Sequence, residues 1–214
     1  MSMKTGKCAD NRESGIGVEI KTENEKIINE ICSCHLCSLG EGRTHAVPGE
    51  GPVPARIMLI GEAPGKQEDV SGRPFVGRAG AILNEMLGSA GIRREDVYVT
   101  SVIKCRPPKN RDPSPDEISA CLPYLKRQIS LVRPGIIVPM GRFAAACILD
   151  IFGLPAGTIG TIHGKSFVPE GEGYSPVIIP VYHPAVITHN PRLNEALLED
   201  FDAIKRHLKS GKDS

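Results

Sequence analysis

The chain has 214 residues and a mass of 23.0 kDa, which is enough for one well-buried domain and too little for two of ordinary size. Hydrophobic residues make up 40% and charged residues 24%, a balance that argues against a disordered chain and against a membrane span. The net charge of +1 excludes a global field that would draw the protein onto nucleic acid or an anionic membrane, so such binding needs a local patch.

The N-terminal segment is polar and has neither the apolar stretch nor the small-residue cleavage site of a signal peptide. We predict a polar tail over residues 1–22, one domain over residues 23–208 and a second tail over residues 209–214. We expect a cytoplasmic protein that makes no membrane contact.

Between the tails, short apolar runs alternate with helical periodicities. The predicted elements are, in chain order, a helix (23–32), a strand (56–60), a helix (77–92), a strand (96–103), a helix (114–132), a strand (135–141), a helix (142–152), one arm of a surface hairpin (161–169), a strand (175–184) and a helix (190–210). This alternation predicts a single α/β domain with a parallel sheet covered by helices on both faces.

Ligands bind beyond the carboxyl ends of the strands in such a sheet. Four short segments follow predicted strands and should gather at this edge: "GEAPG" (61–65), "KCRPP" (104–108), "PMGR" (139–142) and "YHPA" (182–185). The second of them belongs to "KCRPPKNR" (104–111), which has four basic residues and no acidic one. Such a stretch is either a solvated loop or a local site for phosphates.

Seven cysteines in a cytoplasmic chain suggest metal binding rather than a disulfide scaffold, because thiols are kept reduced there. Cys34 and Cys37 stand at Cys-x2-Cys spacing, which lets two sulfurs from one turn reach the same centre. Cys105 and Cys121 either supply two more thiolates or are ordinary buried thiols. Four thiolates suit zinc and an iron–sulfur cluster alike, and Cys32 competes with Cys34 as a ligand.

Four segments also occur together in one known family. They are "GEAPGKQED", "SGRPFVGRAG", "KCRPPKNRDP" and "YHPA", in this order and with Cys-x2-Cys upstream. From about residue 31 to residue 208, the chain resembles the family-4 uracil-DNA glycosylases, the iron–sulfur branch of the uracil-DNA glycosylase superfamily. The resemblance implies a three-layer α/β/α domain around a four-stranded parallel sheet. It also implies an enzyme that excises uracil, the product of cytosine deamination, from single- and double-stranded DNA.

The resemblance further implies a [4Fe–4S] cluster with the ligands Cys34, Cys37, Cys105 and Cys121. Cys32 is left out, because in the family a stretch like "SLGEGRTHAVPGEG" follows the second cysteine of the pair and fixes the register. The cluster would brace the basic loop against the DNA backbone and would be structural rather than redox-active. The basic side chains of that loop are Lys104, Arg106, Lys109 and Arg111.

Cleavage of the N-glycosidic bond leaves a uracil anion and an electron-poor sugar, so the site must stabilise charge on the base and direct water at C1′. By resemblance, His183 would donate a hydrogen bond to uracil O2, and Glu62 with the backbone at Ala63 would lie beside the attacking water. Glu68 would lie near the C5 edge and exclude the methyl group of thymine. Phe75 would stack on the flipped base.

One position departs from the family pattern. Where the family usually reads "TNVVKC", this chain reads "TSVIKC", so Ser101 replaces an asparagine whose amide pairs with the polar edge of uracil. A hydroxyl has a shorter reach and lacks the fixed donor and acceptor of an amide. We predict that uracil remains the main substrate. The alternatives are slower uracil excision, an altered choice of base that includes deaminated purines, and a water that fills the gap.

The segment "HPAVITHNP" resembles the loop that enters the minor groove and fills the space left by the flipped base. Val186 and Ile187 are the apolar candidates for this wedge, and His189 and Arg192 would lie near phosphates. The family more often has a leucine–arginine pair here.

The main alternative to an enzyme is a metal-braced DNA-binding module with weak or lost catalysis. A zinc deaminase would need His-x-Glu followed downstream by Pro-Cys-x-x-Cys, and a dinucleotide-binding enzyme would need Gly-x-Gly-x-x-Gly after the first strand; the sequence has neither pattern. We expect a monomer whose partner is uracil-containing DNA, with a sliding clamp as a further candidate partner.

Overall fold

The structure is a computed structural model that describes residues 15–210. In this range the helices are α1 (Gly15–Cys32), α2 (Leu39–Gly42), α3 (Lys66–Ser71), α4 (Arg78–Ser89), α5 (Pro115–Val132), α6 (Arg142–Ile151), α7 (Ile159–Ile162), α8 (Val186–His189) and α9 (Asn194–Ser210). The strands are β1 (Ile57–Gly61), β2 (Val97–Ser101), β3 (Ile136–Pro139) and β4 (Val177–Ile178). Over the same residues, no helix combines the length and the hydrophobicity that a membrane span requires.

The four strands form one sheet in the order β2-β1-β3-β4, and all neighbouring pairs are parallel. Ile57 of β1 pairs with Val97 of β2 on one side and with Ile136 of β3 on the other. Every residue of β1, β2 and β3 is buried, as expected for a parallel sheet with helices on both faces. The predicted α/β domain with a four-stranded parallel sheet is confirmed.

Two hydrophobic cores lie against the sheet. One includes Leu125 of α5 and Ile148 of α6, and the other includes Leu83 of α4 and Phe201 of α9. Helices therefore cover both faces and make three layers. Helix α1 packs outside α5, where its buried Ile27 contributes to a third small cluster.

Helix α5 shows how the sequence sets an element boundary. Ser114 is its N-cap, and Ser114 and Glu117 form a reciprocal capping box in which each side chain accepts a hydrogen bond from the other's backbone N–H. Pro115 follows at the first helical position, where its missing N–H is not needed. This predicted start is confirmed.

The first helix begins at Gly15, whereas the sequence predicts a tail up to residue 22. The early turns are exposed, with Val18 at 48%, so core packing does not explain them. Arg127 of α5 pairs with Glu23 and Glu30 and fixes the later turns, and an established helix gains a hydrogen bond for each residue added. The rest of both predicted tails, residues 1–14 and 211–214, lies outside the described residues.

The predicted last strand is too long. Only Val177 and Ile178 belong to β4, and Val181 adds a single bridge to Met140. The backbone N–H groups of Ile179 and Val181 still donate to the carbonyl oxygens of Ile137 and Pro139, so the alignment with β3 continues past β4 as separate hydrogen bonds. Pro180 faces the other side, where its carbonyl oxygen accepts a hydrogen bond from the N–H of Gly164. The predicted hairpin arm is represented by one antiparallel bridge, between Phe167 and Ile178.

Candidate active site and candidate metal centre

A cavity of about 330 Å³ lies at the carboxyl ends of the strands. Ser101 ends β2, Glu62 directly follows β1 and His183 lies beyond β4, so the parallel sheet brings together residues that are far apart in the sequence. The cavity is lined by every predicted catalytic and base-binding residue: Glu62, Ala63, Glu68, Phe75, Ser101 and His183.

His183 has a defined tautomer. Its Nδ1 accepts a hydrogen bond from the backbone N–H of Ala185 at 3.2 Å, so the neutral ring carries its proton on Nε2. Burial lowers the pKa of His183 to about 4, and the negative charge of Glu68 offsets this only in part. Near neutral pH, His183 is therefore an uncharged hydrogen-bond donor.

Phe75 lies beside this imidazole, with 5.9 Å between the ring centroids and 33° between the ring planes. Its φ of 51° is uncommon for a residue with a side chain. Arg94 donates a hydrogen bond from Nη2 to the carbonyl oxygen of Pro74 at 2.9 Å. Helix α4 packs so closely that a Cβ on Gly80 would lie 1.8 Å from the Phe75 carbonyl oxygen. The surroundings thus hold the aromatic ring in place.

Glu68 ties α3 to the loop that carries Phe75. Its Oε2 accepts a hydrogen bond from the backbone N–H of Gly65 at 3.1 Å, and its Oε1 accepts from those of Val76 at 3.0 Å and Gly77 at 2.9 Å. Sequence reasoning missed this positioning contact, since it depends on a bend that no local pattern reveals. The role at the C5 edge of the base stays a prediction.

Glu62 is a partly buried carboxylate on the cavity wall. Burial raises its pKa, the nearby charge of Asp112 raises it further, and Arg142 acts in the opposite direction. Arg142 is ion-paired with Asp112 at 2.5 Å. The sequence analysis gives neither side chain a role, although Arg142 ends the predicted edge segment "PMGR" (139–142). A carboxylate with a raised pKa is a stronger base than one in water, so Glu62 is suited to accept a proton from a water molecule.

The side chain of Ser101 is buried in the cavity wall. Its backbone carbonyl accepts a hydrogen bond from Lys104 Nζ at 2.6 Å, whereas its hydroxyl forms no hydrogen bond within residues 15–210. The hydroxyl is therefore available to a ligand in the cavity.

Lys104 is predicted to contact DNA phosphates, and this prediction is wrong. The residue is only 1% exposed, and its Nζ donates to Thr100 Oγ1 and Gln128 Oε1, both at 2.7 Å, as well as to the Ser101 carbonyl. An ammonium group held by three internal oxygens cannot reach a phosphate outside the protein. Lys104 instead joins the end of β2 to α5.

The other basic residues of this segment lie nearer the surface. Lys109 is exposed, and Arg106 donates from Nε to Asn110 Oδ1 at 2.7 Å. Arg111 makes a bidentate pair with Glu117 at 2.9 and 2.6 Å, and it lines the cavity together with Asn110. Sequence reasoning missed Asn110. Its φ of 55° is a conformation that asparagine tolerates well, so an asparagine two residues after a pair of prolines is the available signal.

The predicted wedge segment forms the short helix α8 followed by a 3₁₀ turn. Ile187 packs partly against the core, and Val186 is half-buried. His189 and Arg192 are exposed. Their contacts with DNA stay predictions.

A second, smaller cavity is lined by the four predicted ligand cysteines, Cys34, Cys37, Cys105 and Cys121. They come from the segment after α1, from the loop after β2 and from α5. Cys32 is exposed and does not line this cavity. Within residues 15–210, no three side chains of the metal-binding types are placed as ligands of one metal ion. In a four-iron cluster each thiolate binds a different iron, so the sulfurs lie farther apart than around one ion.

The cysteine cavity also supplies donors to sulfur. Arg43 donates from Nη1 to Cys105 Sγ at 3.0 Å, and the backbone N–H of Lys104 donates to Cys121 Sγ at 3.3 Å. Burial raises the pKa of both thiols, that of Cys121 to about 11, so a cation is needed to hold them as thiolates near neutral pH. Four thiols with two N–H donors fit a metal group that thiolates ligate.

Comparison with known proteins identifies the family. A sequence model of the Uracil DNA glycosylase superfamily matches residues 48–209 of the 214. The chain belongs to the uracil DNA glycosylase superfamily. The type-4 uracil-DNA glycosylase of Archaeoglobus fulgidus is 48% identical, with 84% of this chain and 90% of that protein covered. The type-4 uracil-DNA glycosylase of Sulfurisphaera tokodaii is 48% identical, with 85% of this chain and 83% of that protein covered. That of Thermotoga maritima is 39% identical, with 88% of this chain and 97% of that protein covered.

These relatives place the chain in the type-4 branch of the uracil DNA glycosylase superfamily, which confirms the predicted membership. The superfamily match includes all six predicted residues of the larger cavity, from Glu62 to His183. Of the four predicted ligand cysteines, the match includes Cys105 and Cys121, whereas Cys34 and Cys37 lie before its first residue.

Proposed function

We propose that the protein is a DNA-repair glycosylase that hydrolyses the N-glycosidic bond of uracil in single- and double-stranded DNA and leaves an abasic site. One observation carries the proposal: a carboxylate of raised pKa, a neutral imidazole and an aromatic ring line a single cavity. The proposal is supported by the relatives from Archaeoglobus fulgidus and Sulfurisphaera tokodaii, both of which are named type-4 uracil-DNA glycosylase.

In the proposed reaction, a water oxygen bonds to C1′ of the deoxyribose while the bond from C1′ to N1 of uracil breaks. The bonding electrons move to the uracil ring and build negative charge on O2. Glu62 takes the proton of the water, for which its partly buried carboxylate is suited. His183 donates a hydrogen bond from Nε2 to O2 and keeps its proton, because its neutral form is favoured.

Base recognition is assigned to the walls of the same cavity. Phe75 stacks on the flipped uracil, and the hydroxyl of Ser101 bonds to its polar edge. Glu68 holds the Phe75 loop and lies at the C5 edge. Contacts to the DNA backbone and minor groove are assigned to the exposed or half-buried side chains Arg106, Lys109, Arg111, Val186, Ile187, His189 and Arg192.

We also propose a [4Fe–4S] cluster held by Cys34, Cys37, Cys105 and Cys121. When bound, the cluster supplies iron–thiolate bonds that link three separate parts of the chain. Iron and sulfide analysis together with visible absorbance tests this, since a zinc protein is colourless. Four iron and four sulfide per chain are expected, and zinc in place of iron would overturn the assignment.

The activity is tested with an oligonucleotide that contains one uracil, followed by cleavage at abasic sites. We expect wild-type protein to form abasic sites and Glu62→Gln to form them far more slowly. Glu25→Gln, on the exposed side of α1, is the matched control and should act like wild type. The absence of abasic sites with wild-type protein, despite binding to the oligonucleotide, would instead support a metal-braced DNA-binding module.

A second candidate function is excision of deaminated purines, which the free hydroxyl of Ser101 favours because it imposes less geometry than an amide. Oligonucleotides with hypoxanthine or xanthine test it. Excision of either purine faster than uracil would replace uracil as the main substrate. A monomer, a cytoplasmic location and a sliding clamp as partner stay predictions.

A further inference from the structure

Arg43 joins the cysteine cavity to the end of α1. Its Nη1 donates to Cys105 Sγ at 3.0 Å, while Nη2 donates to the backbone carbonyl of Cys32 at 2.7 Å. Carbonyls in the last turn of a helix lack partners within the helix, so the second bond satisfies one of them. The guanidinium lines the same cavity as the four cysteines.

Other arginines of the protein use their charge differently. Six of them pair with carboxylates: Arg73, Arg93, Arg94, Arg111, Arg127 and Arg142. None of the carboxylate pairs within residues 15–210 includes Arg43. Its guanidinium instead donates to Cys105 Sγ and lines the cavity of the four cysteines. The positive charge of Arg43 is therefore directed at sulfur.

We propose that Arg43 is a positioning residue for the iron–sulfur cluster, which ties the Cys105 ligand to the end of α1 and raises the reduction potential of the cluster. This inference rests on the proposed cluster. Hydrogen bonds to the ligand sulfurs and nearby charge set such potentials.

The sign of the effect follows from charge. On reduction, one electron enters the cluster and no bond forms or breaks, so the reduced form is the more negative one whichever couple is observed. A nearby positive charge and an N–H donor to sulfur stabilise that form. Loss of Arg43 must then make the cluster harder to reduce and easier to oxidise.

Two substitutions separate charge from geometry. Arg43→Gln removes the charge and the forked donor. Arg43→Lys keeps the charge, but an ammonium group lacks the planar fork that reaches sulfur and carbonyl together. Arg93→Gln is the matched control, because Arg93 pairs with Asp96 at the surface and lines neither cavity.

The experiment is a spectroelectrochemical titration of the intact iron-loaded proteins, in which the electrode supplies the electron. For Arg43→Gln we expect the equilibrium constant of reduction to fall about tenfold, which is 59 mV for one electron. The equilibrium constant of reduction should fall less for Arg43→Lys, and for Arg93→Gln it should equal that of the wild type.

The outcomes separate this inference from the cluster proposal. A wild-type protein without iron overturns the cluster, and the role of Arg43 with it. A fully loaded Arg43→Gln with the wild-type potential overturns the role of Arg43 alone. If Arg43→Gln folds by circular dichroism but holds no iron, the tie between Cys105 and α1 is supported. The effect on the reduction potential is then measured with Arg43→Lys, and a wild-type potential in that variant would overturn it.

Discussion

The three carboxylates of "GEAPGKQED" show how residues of one type acquire different roles. Glu62 lines the cavity with a raised pKa. Glu68 is occupied by three backbone N–H groups. Asp69 is buried and accepts hydrogen bonds from the backbone N–H and the hydroxyl of Thr44. Only Glu62 has a carboxylate that is available for chemistry. The carboxylates of Glu68 and Asp69 stabilise the fold of this segment instead.

Substitution of Glu62 should remove the base of the reaction. We expect Glu62→Gln to lower kcat by about 10²- to 10⁴-fold, the usual contribution of a positioned base. The acid limb of kcat/KM against pH should follow Glu62, because its pKa is raised while the pKa of His183 is lowered to about 4.

Two neighbours of Glu62 give opposite shifts that check this assignment. Asp112 raises the pKa of Glu62, so Asp112→Asn should move the acid limb to lower pH; Arg142 lowers it, so Arg142→Gln should move the limb to higher pH. Both side chains are largely exposed, so solvent screening should keep both shifts small. Shifts of the same sign in both variants would contradict Glu62 as the group that titrates.

Ser101→Asn restores the family amide at the cavity wall. We expect kcat/KM for uracil to rise roughly tenfold, as one more hydrogen bond to a buried polar edge is worth about 1 kcal/mol or more. Ser101→Ala is the control and should lose activity slightly. A slower Ser101→Asn enzyme would indicate that this cavity has adapted to the hydroxyl.

An element can be predicted from the sequence when its own residues show the pattern of burial. Strands β1 to β3 are continuous apolar runs that are buried on both faces, so the sequence predicts each of their ends to within two residues. Helix α3 is missing from the predicted elements, because its one aliphatic residue, Val70, gives no apolar periodicity. Val70 is 60% exposed, and Glu68 and Asp69 hold the helix through hydrogen bonds with other segments. The prediction that Lys104 contacts DNA is wrong, since a run of basic residues does not reveal which side chain is buried.

Helix α4 contains a matched pair of glycines that tests the support of Phe75. A Cβ on Gly80 would lie 1.8 Å from the Phe75 carbonyl oxygen, a backbone atom, whereas a Cβ on Gly88 would meet nothing within 4 Å. We expect Gly80→Ala to lower the free energy of unfolding by more than about 2 kcal/mol and to impair excision strongly. Gly88→Ala should raise it by about 0.5–1 kcal/mol, because alanine favours the helix, and should leave excision unchanged.

Urea denaturation and the uracil assay, run on both variants, measure the two effects. Equal stability of the two variants would show that the loop yields easily and does not hold the aromatic ring.

For the whole molecule, one chain segment connects the two cavities. Ser101 lines the base cavity, Lys104 bonds to its carbonyl, Cys105 lines the cysteine cavity and Arg111 returns to the base cavity. A change in the position of the cysteines would therefore also move the residues that surround the base. This juxtaposition depends on the tertiary fold, so spacing in the sequence could indicate the four thiols but not their connection to the catalytic cavity.

Loss of the cluster should therefore affect both cavities. Cys34→Ser removes a sulfur that lines the cysteine cavity, whereas Cys32→Ser changes an exposed thiol two residues away. We expect Cys34→Ser to lose iron and to lower Tm by roughly 10 °C, equivalent to about 3–5 kcal/mol for a chain of this size. Hydrogen exchange should rise in α1 and over residues 102–111, and uracil excision should fall. Cys32→Ser should match wild type in iron content, Tm and activity; loss of iron from Cys32→Ser and its retention by Cys34→Ser would reverse the choice of ligand.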